Sequence, residues 1–288
     1  MPNGRSFWRT VLTLTPAEVG LSIRHNSLIK STMMSWLSCV HPRPTATVRL
    51  FCFPYAGGGA WIYRNWGQVL PEFVEVYSVE LPGHGQRLTE EPLTQLDALI
   101  ASVAKAMKPY LNKPFACFGH SLGGLVAFEL IKYLHRDKQI YPFNFWISAT
   151  RAPHVPNPNP LIHTLPDNEL IDEIRRYNGT PAKILDNPEF MKLLLPALRA
   201  DFTILETYSY REYPPLPCPI TAFWGEEDII ISESEVVAWR QHTSKKFSTQ
   251  GFAGDHFFIH TQNVLDTLIS YFSGLPSLRS MYSSKLTL

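Results

Sequence analysis

Short apolar runs rich in β-branched and aromatic residues alternate along this chain with stretches whose apolar positions recur every three or four residues. Thr47–Phe53 (TVRLFCF) and Val74–Glu80 (VEVYSVE) predict strands, as do Phe115–Gly119, Phe143–Ser148, Ile220–Trp224 and Lys246–Gln250. Between them, Leu96, Leu99, Ile100, Val103 and Met107 fall at i, i+3, i+4, i+7 and i+11, which places them on one face of a helix. Leu122–Leu134 and Gln262–Phe272 predict two further helices. Strand–helix alternation of this kind argues for a mostly parallel sheet covered on both faces, an α/β architecture.

One stretch breaks the rhythm. Arg151–Tyr213 offers no strand pattern, opens on the Pro-rich APHVPNPNP, and continues with helical patterns around Asp167–Tyr177 and Pro188–Tyr210. Helices inserted between two strands of such a sheet read as a lid over an active site, since long connections in compact domains are usually functional. The alternative is an extra helical pair packed on the sheet edge.

Composition narrows the class further. A length of 288 residues with 45% apolar content is enough for a substantial core. The 26 basic residues against 25 acidic ones leave a net charge of +1, so no global charge draws the chain to nucleic acid or to a membrane surface. No apolar run reaches 18 residues, so no membrane span is expected. Cys39, Cys52, Cys117 and Cys218 lie far apart, without CxxC or metal-ligand spacing, and read as reduced thiols of a cytoplasmic protein. No metal and no cofactor is implied. Arg5, Arg9, Arg24 and Lys30 stand against a single acid, Glu18, in the first 35 residues. That basic leader has two readings, an organellar transit peptide or a misassigned start codon with the true start at Met33 or Met34.

The chemistry concentrates at Gly119-His120-Ser121-Leu122-Gly123, a G-x-S-x-G directly after the strand FACF and directly before the helix LGGLVAFEL. That context defines a nucleophile elbow, in which a sharp turn lifts the Ser121 hydroxyl clear of the sheet of an α/β-hydrolase. A serine hydroxyl is a weak nucleophile and needs a base. In this fold the order is Ser, acid, His, so among the ten histidines His256, in GDHFF after the last strand, is the candidate base. His260 reads as structural or solvated, and His242, before the last strand, as less suited. His120 sits inside the elbow, where its backbone matters more than its ring. His25 and His41 lie outside the core, while His84, His135, His154 and His163 read as loop or surface imidazoles. The acid is expected on the turn Gly225-Glu226-Glu227-Asp228. Asp228 is the first choice and Glu227 the fallback, with an acidic helix cap as the competing reading of Glu226 and Glu227. An oxyanion hole needs two backbone N–H groups, one from Leu122 and one from the glycine-rich loop FPYAGGGA, where Ala56 is the candidate. A phosphate cradle is the competing reading of those glycines, but the Walker lysine and the G-x-G-x-x-G spacing are both missing.

The segments FCFPYAGGGA, VELPGHGQR, GHSLGGLVAFEL, PALRADFTILETYSY, PLPCPITAFWGEEDII and GDHFFIH resemble the type II thioesterases that accompany polyketide and nonribosomal peptide synthetases, and are similar to the vertebrate medium-chain fatty acyl thioesterase. The resemblance spans Ser35 to Phe272. It implies an α/β-hydrolase fold, a Ser121–Asp228–His256 triad and oxyanion donors at Ala56 and Leu122. It also implies a mobile lid within 151–213 and a substrate carried on the phosphopantetheine arm of an acyl or peptidyl carrier protein. Members begin a few residues before a tryptophan like Trp36, so residues 1–34 are expected to be an extension outside the 35–273 domain, with 274–288 a tail. Two departures stand out: Gly124 occupies a position where many members have alanine, and His84 one where many have arginine. Two rivals remain, a carboxylesterase or lipase using the same triad and a non-catalytic α/β-hydrolase scaffold.

Overall fold

The computed structural model describes residues 35–275, so the readings of residues 1–34, including a start at Met33 or Met34, and of residues 276–288 lie outside the described residues. Strands β1 (Leu37–Ser38), β2 (Val48–Phe53), β3 (Val74–Val79), β4 (Phe115–His120), β5 (Phe145–Ser148), β6 (Ile220–Gly225) and β7 (Phe247–Phe252) form one sheet in the order β1-β3-β2-β4-β5-β6-β7. β2 to β7 run parallel, and β1 pairs antiparallel with β3. Six of the seven strands are those the apolar runs predict, with ends shifted by one to two residues. β1 is new, because two residues cannot show a period.

The helices are α1 (Trp66–Val69), α2 (Leu96–Met107), α3 (Leu122–Lys138), α4 (Asp167–Tyr177), α5 (Ala182–Leu185), α6 (Pro188–Glu206), α7 (Glu233–Val237) and α8 (Gln262–Ser273). β2, β3 and β4 are buried along their whole length, and their side chains alternate between two cores. In β2, Val48, Leu50 and Cys52 point to the face covered by Trp66 of α1 and Val264, Leu268 and Phe272 of α8. Phe51 and Phe53 point to the opposite face, under Val103 of α2 and Val126 of α3. Each such fully buried Phe or Leu contributes roughly 1.5–3 kcal/mol, so the central strands are fixed from both sides. The cysteines carry no disulfide, and burial pushes the Cys218 thiol up to about 12.

Between β5 and β6 the chain forms α4, α5 and α6. α6 starts where its sequence dictates: Asn187 accepts from the Glu189 and Phe190 amides, and Pro188 occupies the first turn. These helices build a third apolar cluster of their own around Leu170, Ile174, Ile184, Leu198 and Phe202, and Ala56 of the glycine-rich loop packs against it. They sit over the carboxyl ends of the strands, not on the sheet edge. A Cβ placed on Gly57 would meet Leu198 of α6, and one on Gly179, between α4 and α5, would meet the Phe257 ring. Asn178 Nδ2 donates to Asp255 Oδ2 at 3.0 Å. The Pro-rich entry is anchored at its start, where the Ala152 amide donates to the Glu235 carbonyl at 3.0 Å and Arg151 pairs with the Glu235 carboxylate. Among the described residues no helix is long and apolar enough to cross a membrane.

Candidate active site

β4 ends at His120 and α3 begins at Leu122, which leaves Ser121 alone in the bend at the centre of the sheet. Its backbone sits at φ 53° and ψ −119°, a region costing on the order of 1–3 kcal/mol that persists only where the surroundings enforce it. Here they do. The Ser121 amide donates to the Ser148 carbonyl at 2.8 Å, and its carbonyl accepts from the Thr150 hydroxyl at 3.0 Å and the Gly124 amide at 2.9 Å. The bend brings α3 so close to β2 that a Cβ on Gly123 would lie 2.1 Å from the Phe53 carbonyl oxygen. Gly124 has its reason in the same place, since a Cβ there would lie 2.2 Å from Thr150 Oγ1. The Thr150 hydroxyl that ties down the elbow fills the space of the alanine methyl.

Asp228 and His256 arrive from neighbouring loops. The turn after β6 is closed by the Asp228 amide on the Gly225 carbonyl at 3.1 Å, and it is stitched to the loop after β7 by the Glu226 and Glu227 amides on the carbonyls of Phe252 and Gly254. Asp228 Oδ2 lies 2.7 Å from His256 Nδ1, with the carboxylate side chain fully buried and the imidazole 7% exposed. The other oxygen, Oδ1, accepts from the Ile230 and Ile231 amides at 2.8 and 3.1 Å. A carboxylate so held fixes the tautomer, with the proton on Nδ1 and Nε2 free to accept. Glu226 and Glu227 are exposed. Neither caps the next helix, because Ser232 and Glu235 form the capping box there.

The ring of His120 does more than the sequence reading allowed. It is fully buried, with Nε2 2.8 Å from the His256 carbonyl oxygen and Nδ1 2.9 Å from Ser148 Oγ. A carbonyl only accepts, so Nε2 carries the proton and Nδ1 accepts from the serine hydroxyl. Burial, reinforced by the neighbouring His256, holds His120 well below the usual imidazole range, so it stays neutral. His120 thus bolts the elbow strand to the His256 loop. Behind it, Tyr55 Oη lies 2.9 Å from His260 Nε2, so His260 has a structural partner.

Of the four histidines read as loop or surface groups, His84, His154 and His163 do lie on loops, but His84 is buried, His135 lies within α3, and all four have side-chain partners. His84 is buried against Asp201 of α6 at 2.9 Å, and His163 lies 2.5 Å from Glu206. His135 and His154 reach Tyr213 and His242, each at 2.9 and 2.8 Å respectively. Their partners come from 43 to 117 residues away, a separation at which single-sequence patterns carry no signal. Among the described residues no cluster of His, Cys, Asp and Glu is arranged to hold a metal ion.

A serine raised on a strained strand-to-helix bend, at the carboxyl edge of a mostly parallel sheet and in chain order before an Asp–His pair, defines a serine hydrolase of the α/β-hydrolase fold. Within that class the chain belongs to the thioesterase family: residues 48–273 match the thioesterase domain family model, and the protein is a thioester hydrolase. It is 44% identical over 248 residues to a Brevibacillus parabrevis protein named linear gramicidin dehydrogenase LgrE, covering 83% of this chain and 94% of that one. It is 34% identical over 232 residues to the human medium-chain S-acyl fatty acid synthase thioesterase, covering 77% and 84%. Among solved structures, the type II thioesterase BorB from the borrelidin biosynthetic cluster superposes with a TM-score of 0.73 at 32% identity, covering 83% of this chain and 96% of that one.

Proposed function

We propose that this chain removes acyl groups from the phosphopantetheine arms of carrier proteins in polyketide or nonribosomal peptide synthesis, clearing stalled or wrong units in the cytoplasm. The names of its relatives tie them to gramicidin and borrelidin production, and the chemistry asked of the site is acyl transfer from sulfur. Ser121 Oγ attacks the thioester carbonyl while His256 Nε2 takes its proton. The oxyanion forms against the Ala56 and Leu122 amides. The C–S bond then breaks, His256 returns the proton to the departing thiolate, and the acyl group stays on Ser121. Water, deprotonated by the same imidazole, attacks the ester and releases the free acid. Asp228 remains ionised and stabilises the imidazolium in both halves. The helical insert α4–α6 acts as the lid, its apolar cluster forming the wall of the acyl channel.

The observation that carries this reading is the buried 2.7 Å Asp228–His256 pair on loops stitched to each other beside the Ser121 elbow. It is tested with one acyl group presented on a carrier protein, on coenzyme A and as an oxygen ester. Ser121→Ala should lower turnover by about 10⁶-fold, since triad members act as a unit, and a fluorophosphonate should label Ser121 alone. kcat/KM should be highest on the carrier, where remote binding contributes to positioning the thioester. Faster turnover of the oxygen ester would favour a carboxylesterase, and equal rates on coenzyme A would remove the carrier role.

A further inference from the structure

Among the buried carboxylates that the acyl-transfer reading leaves without a task, Asp201 at 2% exposed and Glu80 at 6% both hold the glycine-rich loop. Asp201, from inside α6, places Oδ2 2.7 Å from the Gly57 amide and 2.9 Å from His84 Nε2. Nδ1 of the same imidazole lies 3.0 Å from the Pro82 carbonyl oxygen. With an acceptor at each nitrogen, both carry protons. Burial opposes that charge, but Asp201, Pro82 and Glu80 together lift His84 above its ordinary value. Glu80 takes the other end of the glycine-rich loop, accepting from the Ala60 amide at 3.1 Å.

These contacts fall on the turn that carries Ala56. The Gly58 amide donates to the Tyr55 carbonyl at 2.8 Å, which makes Ala56 and Gly57 the central residues of a β-turn, and Gly57 has φ 73°. Positive φ at that position marks a type II turn, which differs from type I by a flip of the peptide between the two central residues. The N–H of that peptide is the one Asp201 accepts. We propose that Asp201, paired with His84, is a positioning residue: by accepting the Gly57 N–H it locks the type II form of the turn and anchors the turn to α6, so that Ala56, whose own N–H belongs to the preceding Tyr55–Ala56 peptide, is presented at the hole only when α6 is docked. The role rests on the acyl-transfer reading above. It makes seating of the helical insert a condition for assembling the hole, through one carboxylate shared by the two.

The test uses the full chain and an acyl-coenzyme A substrate, with kcat expressed per site titrated by a fluorophosphonate so that unfolded protein does not count. Asp201→Asn keeps the size and an acceptor but removes the charge. His84→Gln removes the cation, and His84→Arg supplies a permanent one. Loss of a single oxyanion donor costs about 10²–10³-fold in kcat. A donor displaced with its turn is therefore expected to cost about 10–100-fold in Asp201→Asn and in His84→Gln, with KM within about threefold and most of the loss recovered in His84→Arg. A wild-type kcat per titrated site in Asp201→Asn overturns the proposal, as does a His84→Arg rate as low as that of His84→Gln or a loss expressed only in KM. Wild-type turnover that survives Ser121→Ala would remove the acyl-transfer reading, and this role with it.

Discussion

Replacing His120 by phenylalanine isolates what the buried imidazole does. The ring volume is nearly kept and the edge contacts with Tyr55, Phe258 and His256 are preserved in kind, so no large cavity opens. Two hydrogen bonds are lost, and both partners are stranded: the His256 carbonyl loses its donor and the Ser148 hydroxyl its acceptor. A buried polar group left unsatisfied costs about 1–3 kcal/mol, so the pair should destabilise the protein by roughly 2–6 kcal/mol. For a domain of this size each kcal/mol moves Tm by about 2–4 °C, which predicts a fall of at least about 4 °C by calorimetry. Because one stranded group is the backbone of His256 itself, kcat should fall by about tenfold or more below the melting range, since small misplacements of a base are costly. Asn at 120 should do less harm to stability than Phe, because an amide can still offer both a donor and an acceptor. An unchanged Tm and kcat in His120→Phe would refute the bolt and return His120 to a residue whose backbone alone matters.

Asp228→Asn should lower kcat by about 10⁴-fold through the wrong tautomer of His256, while Glu227→Gln stays near wild type in the same assay; a crippled Glu227→Gln would move the acid. Leu194→Trp, at a half-buried position facing the α4–α6 cluster, should hurt long acyl chains more than short ones in a chain-length series, whereas a uniform loss would count against a channel wall. Leu198 is the poorer probe, because it already abuts Gly57. Burial and the nearby His154 hold His242 down at about 4. Its folded value is below its unfolded value of about 6.5, so the unfolded chain binds a proton that the folded chain refuses. Stability from this group should be full above about pH 6.5 and lost as pH falls towards 4. Denaturant midpoints across that window should flatten in His242→Phe, and an identical slope would exclude the effect.

The sheet, its six main strands, the elbow and the chain order of serine, acid and base were legible in the sequence because each is a local signal. Alternation marks a strand, a 3.6-residue stripe marks a helix, and two glycines around a serine mark a bend that only they permit. The turn Gly225-Glu226-Glu227-Asp228 ranks Asp228 ahead of Glu227 in the sequence, but the two are adjacent residues of similar chemistry. What separates them physically is tertiary: the folded turn buries Asp228 against His256 and leaves Glu227 in solvent. Tertiary structure likewise decided the fate of the remaining histidines. His84 finds Asp201 across 117 residues and His120 finds the His256 carbonyl across 136, and in both cases the desolvated interior makes the pairing obligatory. The sequence determines which groups exist and which local bends they adopt, whereas burial in a shared interior determines which of them must become partners.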